Sequence, residues 1–214
     1  MIKLLKLQFN PIEENTYLVY DETGECIIID AGCSNERENK ILQKAIAYNN
    51  LKPIKLICTH GHFDHIMGNR FICETYKIET YVHKKELGNF ERTATQSTYF
   101  GIDIALPPTP RNFLDDGDEV KFGVSSLKVI FTPGHTCGGI CLYSAADELL
   151  FSGDTLFAGS IGRTDLPGGD YDMLINSLKK LMLLPENTNV FCGHGPKTTI
   201  GYEKLTNPFI TEMQ

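Results

Sequence analysis

Three histidines and an aspartate fall within six residues, His60, His62, Asp64 and His65 in T-H-G-H-F-D-H, directly after the β-like run I-K-L-I-C. Side chains two apart on an extended chain share a face, so His60 and His62 can point the same way as the run ends. Asp64 and His65 fall on the turn into the next helix and can point into a neighbouring pocket. The rest of the chain repeats the placement: His135 stands in T-P-G-H-T, Asp154 in F-S-G-D-T and His194 in F-C-G-H-G, each after an apolar run and beside a glycine. Glycine lets a backbone turn tightly at a strand end, where loops carry function. Two adjacent sets of nitrogen and oxygen ligands suit two borderline cations such as Zn²⁺, Mn²⁺ or Fe²⁺. His83, in Y-V-H-K-K, has no such partner spacing and reads as a turn or surface residue.

A fold that delivers side chains from many strand ends needs many strands, and the text supplies them. K-L-L-K-L-Q-F and T-Y-L-V-Y-D alternate by two, and E-C-I-I-I-D-A-G reads as a buried strand closed by a glycine turn. Residues 34–50 read as a helix capped by Ser34, with Ile41, Ala45 and Ile46 on one face. After I-K-L-I-C-T-H come an expected helix near His65–Tyr76 and a short strand, E-T-Y-V-H. Residues 88–116 show no clear period and hold three of the ten prolines, so they read as a long surface excursion with at most one helical turn. Strands return in G-D-E-V-K-F-G, L-K-V-I-F-T-P-G-H, G-G-I-C-L-Y-S and E-L-L-F-S-G-D. A helix near Tyr171–Leu184, the strand N-V-F-C-G-H-G and a short C-terminal helix follow. Each half runs from strands to helices, which suits two sheets packed face to face with helices outside. One α/β domain over residues 1–214 is expected.

Composition narrows the partners. The net charge is −7, from 20 Lys plus Arg against 27 Asp plus Glu, and no basic cluster interrupts it, so nucleic acid is not an expected partner. The N-terminus lacks a signal-peptide apolar core, and no apolar run is long enough to span a membrane. Seven cysteines, an odd count without a C-x-x-C pair and partly inside apolar runs, fit a reduced, cytoplasmic compartment.

In order and spacing, these motifs resemble the metallo-β-lactamase superfamily, from I-I-D-A-G through H-x-H-x-D-H to F-C-G-H-G. The resemblance implies an αββα sandwich of two mixed sheets flanked by helices. It assigns His60, His62 and His135 to one metal, Asp64, His65 and His194 to the other, and Asp154 as the bridge. Asp30, in I-I-I-D-A-G, matches a position that supports the metal loops, and a ligating histidine needs such an acceptor for its other N–H. Lactam-cleaving members of the best-known type carry Cys where this chain has Asp154 and lack the counterpart of His65. The segment F-S-G-D-T-L-F-A-G-S-I-G-R-T-D-L-P-G-G-D is similar to glyoxalase II-like hydrolases of the short bacterial type, and Arg163 falls where full-length relatives hold glutathione with a basic residue. Only 20 residues follow His194, too few for those relatives' C-terminal helical domain, so glutathione selectivity is open.

The implied activity is hydrolysis of a thioester, S-D-lactoylglutathione or a related acyl-thiol. Two divalent cations, Zn first with Fe or Mn as alternatives, make hydroxide available near neutral pH by lowering the pKa of bound water to ~7. A metal-bridging hydroxide would attack the thioester carbonyl. Asp64 and Asp154 would orient that nucleophile, and the Arg163 guanidinium would hold a substrate carboxylate. The alternative is a persulfide dioxygenase of the same fold with a single Fe²⁺ on His60, His135 and Asp154. Those enzymes share G-R-T-D but continue with an aromatic residue and a Gln where this chain reads L-P-G-G-D. A nucleic-acid phosphodiesterase fits the ligands but not the acidic charge. A non-catalytic metal or redox module would be expected to lose ligands or carry a flavin domain.

Overall fold

A computed structural model of the chain describes residues 1–99 and 105–212. They form two compact units, one of Met1–Leu114 with Lys121–Ser126 and one of Asp115–Val120 with Leu127–Gln214.

In the first unit the alternating N-terminal text becomes an antiparallel hairpin, β1 (Lys3–Phe9) on β2 (Glu14–Tyr20), in register from Lys3 opposite Tyr20 to Phe9 opposite Glu14. β3 (Glu25–Ile29) returns antiparallel to β2, and β4 (Lys52–Ile57), β5 (Thr80–Val82) and β6 (Asn112–Phe113) follow in parallel, giving the order β1-β2-β3-β4-β5-β6. Parallel neighbours need crossovers. These are α1 (Glu36–Tyr48), then α2 (Phe63–Ile66) with α3 (Asn69–Tyr76), then a 3₁₀ turn (Lys84–Glu86) running into α4 (Leu87–Tyr99). Ile27, Ile28, Ile29, Leu56 and Ile57 are all buried, as the apolar ends I-I-I of β3 and L-I of β4 require when both faces are covered.

Two local expectations change. Asn35, not Ser34, caps α1, accepting from the Glu38 N–H, while Ser34 bonds the Glu38 carboxyl through its own N–H and hydroxyl. Adjacent Ser and Asn are near-equal caps, so sequence alone could not choose between them. The buried row is Leu42 and Ile46, and Ile41 is 42% exposed, because the Leu42–Ile46 spacing of four sets the inward face.

The larger change concerns residues 88–116, where α4 takes up much of the stretch read as irregular; residues 100–104 of that stretch lie outside the described residues. The helix was hidden because its inward face is largely polar. Asn89 and Thr93 are buried beside Phe90, and the Thr93 hydroxyl donates to the Asn89 carbonyl one turn back.

The second six-stranded sheet has the order β14-β13-β10-β9-β8-β7, built from β7 (Glu119–Phe122), β8 (Ser125–Phe131), β9 (Ile140–Ser144), β10 (Leu149–Gly153), β13 (Asn189–Cys192) and β14 (Thr198–Thr199). β8, β9 and β10 are antiparallel, whereas β10 and β13 are parallel. The crossover between β10 and β13 contains the small hairpin β11 (Leu156–Phe157) and β12 (Ser160–Ile161), then α5 (Tyr171–Leu181). α6 (Ile200–Thr206) and α7 (Pro208–Thr211) close the chain. Leu174, Leu178 and Leu181 of α5 pack with Leu150, Val190, Cys192, Ile200 and Ile210.

Asp21 ties the β2–β3 turn of the first unit to residues 123–124. Its Oδ1 accepts from the Thr23 N–H at 3.0 Å and hydroxyl at 2.6 Å, and its Oδ2 accepts from the Val124 N–H at 2.7 Å. Burial opposes the charge, but these hydrogen bonds outweigh it and hold the carboxyl at about 2, below its ordinary 3.8. A carboxyl depressed by folding stabilises above its unfolded pKa and loses that contribution as pH falls through the folded value. Asp21→Asn is expected to destabilise by about 1–3 kcal/mol at pH 7. The gap from the parent should narrow from about pH 4 towards about pH 2, as read by urea unfolding across pH. A gap independent of pH would assign the effect to shape, not charge.

Candidate metal centre

Asp30 stands one residue past β3, with φ of 50°, a left-handed conformation that Asp tolerates. Its Oδ1 accepts from the Thr59 N–H and its Oδ2 from the Thr59 hydroxyl, both at 2.7 Å, which fixes the start of the histidine loop beyond β4. The same Oδ2 lies 3.0 Å from His65 Nδ1. Having given its hydrogen to Asp30, the Thr59 hydroxyl receives that of His60 Nδ1 at 3.1 Å. One buried carboxyl therefore sets the tautomer of two imidazoles and leaves both Nε2 atoms as electron-pair donors.

The remaining ligand types of this unit gather at the same place. His65 Nε2 is 3.6 Å from Asp64 Oδ2, and the His60 ring lies 4.8 Å edge-on to His62 and 4.2 Å from His65. Asp30, His60 and His65 each offer an atom within 4.8 Å of the others. All five residues are buried.

Sequence reasoning passed over the residues behind this cluster. Asn10 donates through Nδ2 to the carbonyls of Gly32 and Asp64, at 3.1 and 3.0 Å. Glu14 is fully buried, takes the Thr16 hydroxyl on Oε2 and brings Oε1 to 4.0 Å from His65 Nδ1. Burial, opposed by His65, pushes its carboxyl well above the usual range. A Cβ on Gly32 would meet Glu14 Oε2 at 2.0 Å, so D-A-G after β3 needs its glycine for space. Asn10 and Glu14 lie far from any ligand motif and carry no spacing signal.

In the second unit Asp154 follows β10 at a slip in the β10–β13 register between Phe151 and Gly153, and Gly153 has φ of 50°. That bulge turns the chain so that Asp154 leaves the strand end. Its Oδ2 is 3.6 Å from both His135 Nε2 and His194 Nε2. His135 follows β8 through Gly134, at φ of 137°, where a Cβ would lie 2.2 Å from the Leu174 nitrogen. Its Nδ1 is 2.8 Å from the Arg163 carbonyl, which again leaves Nε2 to face Asp154.

The Arg163 side chain behaves otherwise. Its Nε and Nη2 grip Asp165 Oδ1 and Oδ2 at 2.7 and 2.6 Å, with the two side chains 57% and 66% exposed. Arg163 thus reaches His135 with its backbone while its guanidinium pairs with a neighbour. His83 caps the 3₁₀ turn, accepting from the Lys85 N–H, which is the turn role expected of it.

These donors suit divalent cations. Two ligand atoms bound tetrahedrally at about 2.0–2.1 Å lie roughly 3.3 Å apart. The imidazole–carboxyl separations of 3.6 Å in both units are close to that edge. Imidazole and carboxylate without thiolate match zinc, iron or manganese.

Comparison with known proteins agrees. Residues 10–194 match the model of the metallo-beta-lactamase superfamily. A Haemophilus influenzae protein named hydroxyacylglutathione hydrolase GloC is 36% identical, covering 92% of this chain and 93% of that protein. Among solved structures, BLEG-1 B3 metallo-beta-lactamase has a TM-score of 0.90 at 36% identity over 98% of this chain and 100% of its own. TTHA1623, in a di-iron-bound form, has a TM-score of 0.86 at 37% identity, covering 96% and 99%. ETHE1 from Myxococcus xanthus has a TM-score of 0.79 at 27% identity, covering 96% and 83%. The mixed sheets with their helices are this superfamily's fold, and the chain belongs to the metallo-β-lactamase superfamily.

Proposed function

We propose that the chain is a dimetal hydrolase acting on a thioester, S-D-lactoylglutathione or a related acyl-thiol. The observation that carries the dimetal part is the Asp154 carboxyl oxygen at 3.6 Å from two imidazole nitrogens, which suits a carboxylate shared between cations. His60, His62 and His135 would hold one cation, Asp64, His65 and His194 the other, and Asp154 both. Zinc is the metal proposed, and the di-iron form of TTHA1623 leaves iron compatible. The thioester part is supported by the name of GloC.

Bound divalent cations would lower the pKa of water to ~7 and polarise a carbonyl. The protein's own share is orientation. Asp30 holds the Nδ1–H groups of His60, through Thr59, and of His65, so that neither ring can present the wrong nitrogen. The Arg163 carbonyl does this for His135. Asp64 and Asp154 would orient the attacking water and take its proton. Seven free cysteines, five of them buried, support a reducing cytoplasmic location. No helix among the described residues is long and apolar enough to cross a membrane.

Metal analysis of the purified protein is expected to give two equivalents per chain. Chelation should lower the melting temperature and added metal restore it, because the native state binds metal and the unfolded chain hardly does. A melt unmoved by verified metal removal would contradict the reading.

The activity test sets S-D-lactoylglutathione beside a chromogenic cephalosporin and a persulfide with an oxygen electrode. Thioester turnover, reduced at least about 100-fold in Asp154→Ala, is the expected result. Cephalosporin turnover alone would move the assignment towards the β-lactamase activity for which BLEG-1 is named. Similarity to ETHE1 favours one second reading, the persulfide dioxygenase, and a single iron per chain with oxygen uptake would establish it.

Arg163 is proposed to hold a carboxylate on the thiol half of the substrate by exchanging Asp165 for it. More than half of the side chain is exposed, so solvent screens the contact. Arg163→Ala is expected to lower kcat/KM for S-D-lactoylglutathione by no more than about fivefold. A neutral thioester should be unaffected, and Asp165→Asn should leave the charged substrate bound at least as well. Equal losses for charged and neutral thioesters would make the Arg163–Asp165 pair structural.

A further inference from the structure

One buried carboxyl backs the histidine loop without belonging to any ligand motif. Glu86 ends the 3₁₀ turn after β5 and is fully buried. Its Oε2 accepts from the Gly61 N–H at 2.7 Å and from Asn89 Nδ2 at 2.7 Å. Arg92 Nη2 donates to Asn89 Oδ1, also at 2.7 Å. Gly61 is the residue between His60 and His62, so the peptide that joins two candidate ligands hangs from Glu86.

Space is as tight as the hydrogen bonding. A Cβ on Gly61 would lie 2.8 Å from Asn89 Cβ, 3.0 Å from Glu86 Oε2 and 3.2 Å from Phe90 Cδ2. The loop rests on Asn89 and Phe90 of α4 and cannot move towards them. Asp30 fixes the loop at Thr59 and Asn10 fixes it at the Asp64 carbonyl. Gly61 lies between those two points, and Glu86 supplies its fixed hydrogen bond. An acidic side chain is costly to bury, so its place here calls for a partner that needs it.

We propose that Glu86 is a positioning residue for the metal centre. It holds the Gly61 peptide so that the rings of His60 and His62 keep their edge-on arrangement at 4.8 Å, with Asn89 of α4 bracing its carboxyl and Arg92 holding Asn89. This rests on the reading of His60 and His62 as metal ligands. Residues that orient ligands from behind typically change metal affinity 10- to 100-fold when removed.

The test titrates the metal-free full chain with Co²⁺ and with Zn²⁺ against a chromophoric chelator. Parent, Glu86→Ala, Glu86→Gln and Gly61→Ala are compared, with circular dichroism and melting of each as a folding check. Glu86→Ala is expected to weaken one of the two cations by about 10- to 100-fold and to shift the visible Co²⁺ spectrum, while the other cation changes less than about threefold. Glu86→Gln should recover most of the affinity, because its side-chain carbonyl can still accept from Gly61. Gly61→Ala keeps the carboxyl but displaces the loop, and should weaken the same cation. A folded Glu86→Ala with both affinities and the spectrum unchanged within twofold overturns the proposal. If Glu86→Ala does not fold, unchanged affinities in Gly61→Ala overturn it instead. A parent chain that takes up no cation overturns the metal reading and this proposal together, whereas a metal-binding parent with indifferent variants overturns this proposal alone.

Discussion

The Asp30 carboxyl is the interaction on which the first unit's cluster of candidate ligands depends. It sits where β3 ends, ties down the beginning of the loop beyond β4, and decides through one oxygen which nitrogen each of two imidazoles presents. Neutral imidazole carries one hydrogen, and a ring free to choose would present N–H to a cation part of the time. Hydrogen-bonding Nδ1 removes that choice before any metal arrives. The arrangement also explains the left-handed backbone at Asp30: φ of 50° turns the chain out of the strand within one residue, so the carboxyl folds back onto Thr59 instead of continuing along the sheet. The strain is of the kind that persists only where surrounding bonds over-determine it, and here three hydrogen bonds do so.

The second unit solves the same problem by other means. His135 is oriented by a backbone carbonyl, and Asp154 leaves its strand through a bulge. Close packing then leaves little freedom: a Cβ on Gly162 would lie 1.9 Å from the Asp154 carbonyl oxygen. A buried glutamate secures the hairpin that follows. Glu203 of α6 accepts from the Gly159 N–H at 2.9 Å and from Asn207, whose amide also donates to the Ser160 carbonyl. Glu86 and Glu203 thus play parallel parts in the two units, each reaching from a helical element to a glycine N–H in or beside a loop that carries candidate ligands. A glycine peptide has no side chain to hold it, and a buried acidic oxygen supplies what packing cannot.

The candidate ligands stand out in the sequence because metal chemistry restricts residue types, and because strand ends beside glycine repeat in the text. The strands were legible for a related reason: β3, the end of β4 and β10 carry apolar runs too short for helices. What escaped were residues whose role depends on distance through space. Nothing in the sequence links Glu14 to His65, Glu86 to Gly61 or Asn10 to Asp64, since each pair is joined only after crossovers bring separate segments together. α4 escaped because its buried face includes Asn89 and Thr93 beside Phe90, the Thr93 hydroxyl bonding the Asn89 carbonyl and the Asn89 amide bonding Glu86, so no apolar period shows. Arg163 was legible as a position, but its backbone contact was not. Its carbonyl orients His135, and the guanidinium that drew attention is engaged by a residue two places along.

Similarity across the whole chain carries little information about which reaction this scaffold performs. The chain is equally identical, at 36%, to a protein named as a hydroxyacylglutathione hydrolase and to one named as a B3 metallo-beta-lactamase. The physical reason lies in where the constraints fall. The loops that carry the candidate ligands are held from behind by buried carboxyls, carbonyls and close-packed glycines, contacts that do not depend on which bond a divalent cation helps to break. Groups outside those constraints are free to vary, and the exposed Arg163–Asp165 pair, beside the carbonyl that bonds His135, lies outside them. Changing such a surface pair leaves the ligand geometry in place. A scaffold constrained in this way is compatible with more than one metal-dependent reaction, so identity over the whole chain does not choose between the two names.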